Sequence, residues 1–144
     1  MIVDAFLYSV EAELLQARLA HLKDVVDLFL CVEADRTHAG QPRELTAPPV
    51  SEPKLKRTIV QIPAHLVGNP WGIENFHRNA IEVALRDAGV PDNATVMMSD
   101  VDEFVRPEHY LEPGIAAMVL DQFCYSLNGY VAEKSFVGPV RAPR

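Results

Sequence analysis

A cluster of three carboxylates directly follows an apolar stretch in the second half of the chain. Residues 95–98 are predicted to form a buried strand, and Asp100, Asp102 and Glu103 come immediately after it. Negative charges at the end of a buried strand repel one another, and desolvating them costs several kcal/mol each unless something compensates. A hard divalent cation is the usual compensation, because Mg²⁺ and Mn²⁺ prefer oxygen ligands and keep water or a diphosphate in their coordination shell.

Two other interpretations of this cluster start from the same residues. The three carboxylates could form a solvated acidic turn that begins the next element. An EF-hand loop is disfavoured, because no glycine stands at the turn position that such a loop requires. The sequence therefore favours a divalent metal site at a strand end, with the acidic turn as the alternative.

The bulk composition bounds the class of protein. The chain has 144 residues, 49% hydrophobic and 23% charged, which suits a single globular domain. A net charge of −7 argues against a surface that coats nucleic acid. We expect no membrane span and no signal peptide, since no apolar run approaches about 20 residues and no basic region precedes the first one. Cys31 and Cys124 are expected to be buried free thiols, and the protein is expected to be cytoplasmic.

The hydrophobic pattern alternates between strands and helices. Apolar runs predict strands at residues 2–8, 25–32, 58–62 and 94–98. Helical spacing predicts helices at residues 11–22 and 73–88, with Gly89 as the C-terminal cap of the second. Strand, helix and strand within about thirty residues indicate a βαβ unit. The predicted fold is therefore α/β, with an open and mostly parallel sheet flanked by helices.

The remaining segments are less regular. Proline and glycine make residues 35–57 a long loop, which in a compact domain is usually functional or mobile. Pro107 could begin a short helix. Residues 118–127 are predicted to be a further strand, and the pattern decays after Asn128, so residues 131–144 are interpreted as a tail.

Several segments, in order, resemble glycosyltransferase family 17, whose best-known members add a bisecting N-acetylglucosamine (GlcNAc) to glycoproteins. The resemblance spans roughly residues 2–130. It is carried by the following segments: Asp4-Ala5-Phe6, residues 13–19, residues 25–34, Thr37-His38-Ala39-Gly40-Gln41-Pro42, Phe76-His77-Arg78-Asn79-Ala80-Ile81, Met98 to Glu103, Arg106-Pro107-Glu108 and Tyr125-Ser126-Leu127-Asn128.

This resemblance implies a GT-A-like (Rossmann-like) domain over residues 1–130, a UDP-sugar donor, with UDP-GlcNAc the donor by analogy, and a divalent metal, Mn²⁺ or Mg²⁺. By the family pattern, Asp102 would bind the metal that bridges the donor diphosphate, and Asp100 would contact the ribose or a metal-bound water. Family 17 catalytic domains continue well beyond this point. Residues 131–144 would then be a truncated tail, or the domain would be completed by a homo-oligomeric partner.

Other residues are weighed for and against a role in the site. Glu33 ends a predicted strand and could accept hydrogen bonds from a uracil or ribose, or be a solvated strand end. Arg78 and Asn79 lie off the apolar stripe of the second helix and could reach the donor, or only solvate that face. Glu133 is the one late carboxylate considered as a catalytic base, although no base can be named from the sequence.

A further set is more easily explained by structure than by chemistry. Trp71 could stack on a sugar or base, but packing is the commoner role. The basic residues Arg36, Lys54, Lys56 and Arg57 could bind phosphate, although a solvated charge run is the more usual interpretation. His77 could lie near the donor, and the five histidines show no metal-ligand spacing.

The function predicted from these residues and the resemblance is metal-dependent transfer of a sugar, GlcNAc by resemblance, from a UDP-sugar to a glycan or other hydroxyl acceptor. The alternative is a non-catalytic nucleotide-sugar-binding remnant that lacks the acceptor half. A nucleotidyl or phosphoryl transferase is a third interpretation, which no glycine-rich phosphate loop supports.

Overall fold

The computed structural model describes residues 1–45, 52–123 and 130–144, without the side chains of 132–136. The predictions for Cys124 and for Tyr125-Ser126-Leu127-Asn128 lie outside the described residues. The described residues form six strands and two α-helices. The strands are β1 (Ile2–Tyr8), β2 (Leu28–Ala34), β3 (Leu55–Val60), β4 (Thr95–Asp100), β5 (Ala116–Phe123) and β6 (Tyr130–Pro143). The helices are α1 (Ala12–Leu22) and α2 (Pro70–Asp87), and 3₁₀ turns lie at Ala64–Leu66 and Pro107–Tyr110.

The strands of the described residues form one mixed sheet in the order β3-β2-β1-β4-β6-β5. Strands β3, β2, β1 and β4 are mutually parallel, which confirms the four neighbouring parallel strands predicted from the apolar runs. Strands β6 and β5 are antiparallel to their neighbours. The fold is therefore mixed α/β, and the expectation of a parallel arrangement fails for the β6-β5 side of the sheet.

The two helices cover opposite faces of the parallel strands. One apolar core packs α2 residues such as Ile73 and Ile81 against alternate residues of β1, β2 and β4. The other core packs α1 residues such as Leu15 and Leu19 against the alternate set, with Tyr110 at its edge. Burial on both faces explains why β1 and β2 appear in the sequence as continuous apolar runs rather than as alternating ones. Neither helix in the described part of the chain is long and apolar enough to cross a membrane.

The segment predicted as a tail, residues 131–144, is mostly a strand. Residues 131–143 belong to β6, which pairs with β4 through Met97 with Arg141 and Met98 with Val140. The prediction failed because Gly138, Pro139 and Pro143 are residues that usually interrupt strands. The sheet therefore continues across the predicted domain boundary at residue 130.

The other helix and strand bounds in the structure differ from the predicted bounds by a few residues. Helix α2 begins at Pro70 rather than at residue 73, because the Asn69 side chain accepts a hydrogen bond from the Gly72 amide and caps the helix. Strand β3 begins at Leu55, inside the segment predicted to be a loop. Pro107 does begin a short helical turn, as predicted. None of these shifts moves the carboxyl ends of the parallel strands away from one another.

Candidate functional site

A cavity lies at the carboxyl ends of β1, β2 and β4. Its volume is about 580 Å³. This is the sheet edge at which ligands bind in open α/β folds. Apart from Glu11 and His77, its charged and histidine wall residues fall into two groups. The acidic wall consists of Glu74, Arg78, Asp100 and Asp102, and the basic wall of Arg36, His38 and Arg43.

The acidic wall is the carboxylate cluster predicted from the sequence. Asp100 is the last residue of β4, and its side chain is 43% exposed, while Asp102 is exposed in the turn that follows. Arg78 of α2 donates to Asp100 Oδ1 at 3.2 Å and lies 3.6 Å from Glu74. The structure therefore brings Asp100, Asp102 and Arg78 together at one cavity.

Glu103, the third carboxylate of the cluster, turns back toward the protein. Its Oε2 accepts a hydrogen bond from the Asp100 amide at 2.8 Å, which closes the turn. Burial raises the pKa of Glu103, and the negative charges of Asp100 and Asp102 act in the same direction. Glu103 is thus part of the turn that presents the two aspartates.

The donor set on the acidic wall suits a hard cation that is completed by its substrate. Among the described residues, no group of three or more histidine, cysteine, aspartate or glutamate side chains is arranged to hold a metal ion. Two carboxylates that face an open cavity nevertheless match Mg²⁺ or Mn²⁺, which are commonly bound through one or two carboxylates together with phosphate oxygens and water. Asp100 and Asp102 therefore fit the predicted metal.

Behind the acidic wall, Arg18 of α1 holds the turn by its backbone. The side chain is completely buried. Its Nη1 donates to the carbonyl oxygens of Asp100 at 3.1 Å, Val101 at 3.3 Å and Glu103 at 2.9 Å. One guanidinium thus satisfies three main-chain oxygens of the turn that carries the aspartates, and its geometry fixes their backbone.

The charge of Arg18 is balanced by Asp4 in the middle of β1. Nε and Nη2 of Arg18 each lie 2.7 Å from one oxygen of the Asp4 carboxylate, a bidentate pair with both side chains fully buried. Tyr110 donates to Asp4 Oδ1 at 2.8 Å. Burial raises the pKa of Tyr110 and the charge of Asp4 raises it further, so the hydroxyl stays protonated as a donor.

Behind the basic wall the arrangement has the opposite sign. Glu33 in β2 is completely buried, and both of its carboxylate oxygens bind arginines. Oε1 accepts from Arg43 Nη2 at 2.6 Å, and Oε2 accepts from Arg57 Nε at 2.7 Å. Glu33 does not line the cavity, so its predicted hydrogen bond to a uracil or ribose is replaced here by these ion pairs.

The basic wall stands on a tightly bonded loop that follows β2. The Arg43 amide donates to the Asp35 carbonyl at 3.0 Å, and Arg36 forms a β-bridge with Pro42. Gly40 makes the reversal with φ of +79°, a conformation that favours glycine. These bonds hold the loop that places Arg36 and Arg43 in the wall of the cavity.

His77 of α2 lines the cavity but is nearly buried. Its Nε2 lies 3.0 Å from the Val32 carbonyl oxygen. Burial lowers the pKa of His77, although the bond to Val32 acts in the other direction. A neutral imidazole that donates to this carbonyl is the form this environment favours.

The other predicted residues lie elsewhere. Asn79 is exposed and lines a second cavity, of about 440 Å³, between α2 and β6. Trp71 is 73% exposed near the start of α2. Lys54 donates to the carbonyls of Lys23 and Val26, away from the cavity. Glu133 lies in β6, and its side chain is outside the described residues.

Sequence reasoning missed Asp4, Arg43 and the role of Arg18. A signal was available for the first, because an aspartate within the apolar run of a buried strand requires a buried partner. Arg18 shares the helical spacing of Leu15, Leu19 and Leu22, a position where a cation is unusual unless it is paired. Arg43 lies in a loop, where no periodicity marks a buried residue.

One comparison with known proteins is positive. The model of Glycosyltransferase family 17 matches residues 1–141 of the chain, which confirms the resemblance noted in the sequence. No curated protein and no solved structure matches. The family match covers both walls of the cavity and the buried residues behind them.

Proposed function

This chain belongs to glycosyltransferase family 17, and we propose that it transfers a sugar from a UDP-sugar donor to a glycan or other hydroxyl acceptor with the help of a divalent metal. UDP-GlcNAc is the donor we propose from the family resemblance, and Mn²⁺ or Mg²⁺ the metal. We also propose that the domain is GT-A-like. The parallel β3-β2-β1-β4 strands, with carboxylates at the end of β4, support that assignment.

The observation that carries this proposal is the pair of aspartates that faces the cavity at the end of β4. Asp102 is exposed and, within the described part of the chain, forms no ion pair. A metal held there would act as a Lewis acid that stabilises charge on the departing diphosphate. Asp102 would hold this ion directly, and Asp100 would bind a water of its shell or the ribose.

The chain's own residues would bind and orient the donor. Arg78 neutralises Asp100 in the metal-free protein, and its half-exposed guanidinium is free to turn toward a phosphate once a cation takes over that charge. Arg18, held by Asp4, would keep the acidic turn in place, since the bonds of Arg18 to the turn backbone do not depend on the aspartate side chains. Glu133 remains our proposal for the base that deprotonates the acceptor hydroxyl.

A donor-binding protein without transfer is the alternative. It is favoured by one observation: most carboxylates of the described cavity wall are already engaged. Glu74 and Asp100 contact Arg78, and Glu11 accepts the amides of Ser9 and Val10. With Asp102 assigned to the metal, the described lining residues offer no free carboxylate as a base, and a general base is worth about 10²- to 10⁴-fold in rate.

The metal step is tested by calorimetric titration of UDP in Mn²⁺ and in EDTA. We expect Asp102→Asn to weaken the Mn²⁺-dependent binding by about tenfold to a hundredfold, the range lost even when residues around a metal ligand are changed. Asp92→Asn is the matched control, because the Asp92 side chain is 98% exposed and lies outside both cavities. Equal UDP affinity in EDTA and Mn²⁺ for the unchanged protein would contradict the proposal.

Transfer is tested separately, with UDP-GlcNAc and mixed glycan acceptors. Acceptor-dependent release of UDP that Glu133→Gln removes would establish the enzyme and its base. Mn²⁺-dependent UDP binding with only slow donor hydrolysis would instead support the donor-binding alternative.

A further inference from the structure

We propose that Arg36 and Arg43 form a second subsite of the cavity, which binds a phosphate group directly and without a metal ion. Neither residue belongs to the acidic wall that the proposed function uses. Binding of this kind requires neither the metal nor sugar transfer, so it stands or falls separately from the proposed function.

The arginines at and behind the basic wall outnumber the carboxylates that form ion pairs with them. Glu33 is one carboxylate shared by two arginines, Arg43 and Arg57. Arg36 donates its hydrogen bond to a neutral group, the Gly40 carbonyl, at 3.0 Å. Asp35 is next to Arg36 in the chain, but its Oδ1 accepts the Ile62 amide and it forms no ion pair within the described residues. Arg36 therefore has no carboxylate partner among the described residues, and Arg43 shares its partner with Arg57.

Both cavity-lining arginines also have an unused donor. The Nε atoms of Arg36 and Arg43 are buried and have no hydrogen-bond partner among residues 1–45, 52–123 and 130–144. The Arg43 side chain is only 8% exposed, and its Nη atoms are engaged by Ser9 and Glu33. A buried N–H without an acceptor is costly, and a phosphate oxygen would supply the acceptor if the guanidinium turned toward the cavity.

The chemistry of the wall favours a phosphate oxyanion over a neutral group. Guanidinium groups have no acceptor atoms and bind phosphate through several N–H donors in a plane. His77 adds no charge, because burial lowers its pKa. Glu11 lines the same cavity and would oppose an anion, but its Oε2 is held by two backbone amides. The fixed positive charge of the subsite therefore comes from its arginines, which keep their protons near neutrality.

The subsite is displaced from the acidic wall. Loop 35–43 follows β2, and Asp100 ends β4, with β1 between them in the sheet. Neighbouring strands are about 4.8 Å apart, which puts the two walls roughly 10 Å apart at their strand ends. A single ligand can therefore bind a metal ion held by Asp102 with one of its groups. Its second phosphate group, or the far end of a diphosphate, can then bind the arginines.

The experiment titrates inorganic pyrophosphate into the full chain in EDTA, at constant ionic strength, by calorimetry. We expect saturable binding that Arg36→Gln weakens by about tenfold, the usual loss for one charge-assisted hydrogen bond. Arg86→Gln is the matched control, since Arg86 is 62% exposed and lies outside both cavities. Arg36→Lys, which keeps the charge, should retain part of the affinity and shows whether loop 35–43 has stayed folded.

Several results would overturn the subsite. These are the absence of saturable binding in EDTA, equal displacement of pyrophosphate by acetate, and equal affinities of the Arg36→Gln and Arg86→Gln proteins. Loss of binding on Arg78→Gln alone would place the phosphate on the acidic wall and also overturn it. Pyrophosphate binding in EDTA without any Mn²⁺-dependent UDP binding would support the subsite while contradicting the proposed function.

Discussion

The two walls of the cavity are built on buried charges of opposite sign, and they are held in different ways. The acidic wall rests on a cation, Arg18, which binds the main chain of residues 100–103 and not the aspartate side chains. The basic wall rests on an anion, Glu33, which binds the functional side chain Arg43 itself. The first wall therefore has a fixed backbone with adaptable ligands, and the second has fixed ligands.

This difference suits the two kinds of group that the walls would bind. A divalent cation sets its own coordination geometry, and carboxylates on a fixed turn can adjust their side chains to it. A phosphate is bound best by donors that are already oriented, because fewer side-chain conformations are lost on binding. The buried charge behind each wall has the opposite sign to that wall. It therefore also offsets the repulsion among the like charges of the wall when the cavity is empty.

Removing Arg18, the support of the acidic wall, should have the largest effect on stability. We expect Arg18→Met to lower the free energy of unfolding by about 3–5 kcal/mol, because it leaves the buried Asp4 carboxylate without its cation. Three carbonyl oxygens of the acidic turn would lose their donor as well. Urea denaturation followed by circular dichroism measures the change, with Arg86→Met as the exposed control.

A double variant shows whether the loss of stability comes from the missing ion pair or from the buried charge that is left unpaired. Asp4→Leu combined with Arg18→Met should cost less than the sum of the single changes, since the buried charges then disappear together. A loss for Arg18→Met within about 0.5 kcal/mol of the loss for Arg86→Met, the range of ordinary surface changes, would contradict the proposed support of the acidic wall.

Removing the charge of Glu33, the support of the basic wall, should lower the stability by a smaller amount. Glu33→Gln leaves Arg43 and Arg57 facing a neutral amide. The NH₂ group of this amide is a donor and cannot accept a hydrogen bond from an arginine. We expect a loss of about 2 kcal/mol, less than for Arg18, because the Arg57 side chain is 23% exposed and can turn to solvent. Glu82→Gln, whose side chain is 77% exposed and paired with Arg86, is the matched control. A larger loss than that of Arg18→Met would reverse the order of the two walls.

The sequence predicted the acidic wall better than the basic one, for a physical reason. The carboxylates follow an apolar strand, and the strand pattern by itself locates that edge of the sheet, so the amino-acid sequence was enough to place Asp100 and Asp102. Arg43 depends on the long-range partner Glu33 and on a loop whose bonds are local to residues 35–43. Neither of these leaves a periodic signal.

The fold shows the same division between periodic and non-periodic signals. The four parallel strands are buried on both faces and were predicted from continuous apolar runs. Strand β6 was missed because its prolines and its buried Arg141 conceal the pattern. Arg141 is satisfied by the carbonyls of His109, Pro113 and Gly114, partners that no local sequence pattern indicates.

The smallest expected effect on stability concerns His77, which lines the same cavity as the two walls. Its pKa is lowered in the folded protein by burial, whereas in the unfolded chain it titrates near the ordinary value of about 6.5. The unfolded chain therefore binds more protons once the pH falls below that value. The stability that His77 contributes is complete above it and is lost as the pH falls toward the folded pKa, with a slope of at most about 1.4 kcal/mol per pH unit.

His77→Gln should remove this slope, and the measurement compares urea denaturation of the two proteins between pH 7.5 and pH 5.5. His65→Gln is the control, since His65 is exposed in the turn before α2 and lies outside both cavities. An unchanged slope in the His77→Gln protein would mean that burial does not lower the pKa of His77, so that the folded protein binds this proton over the same pH range as the unfolded chain. The basic wall would then gain a pH-dependent cation, and the affinity for phosphate in EDTA of the unchanged protein, relative to that of the His77→Gln protein, should rise as the pH falls, a change that the arginines do not produce.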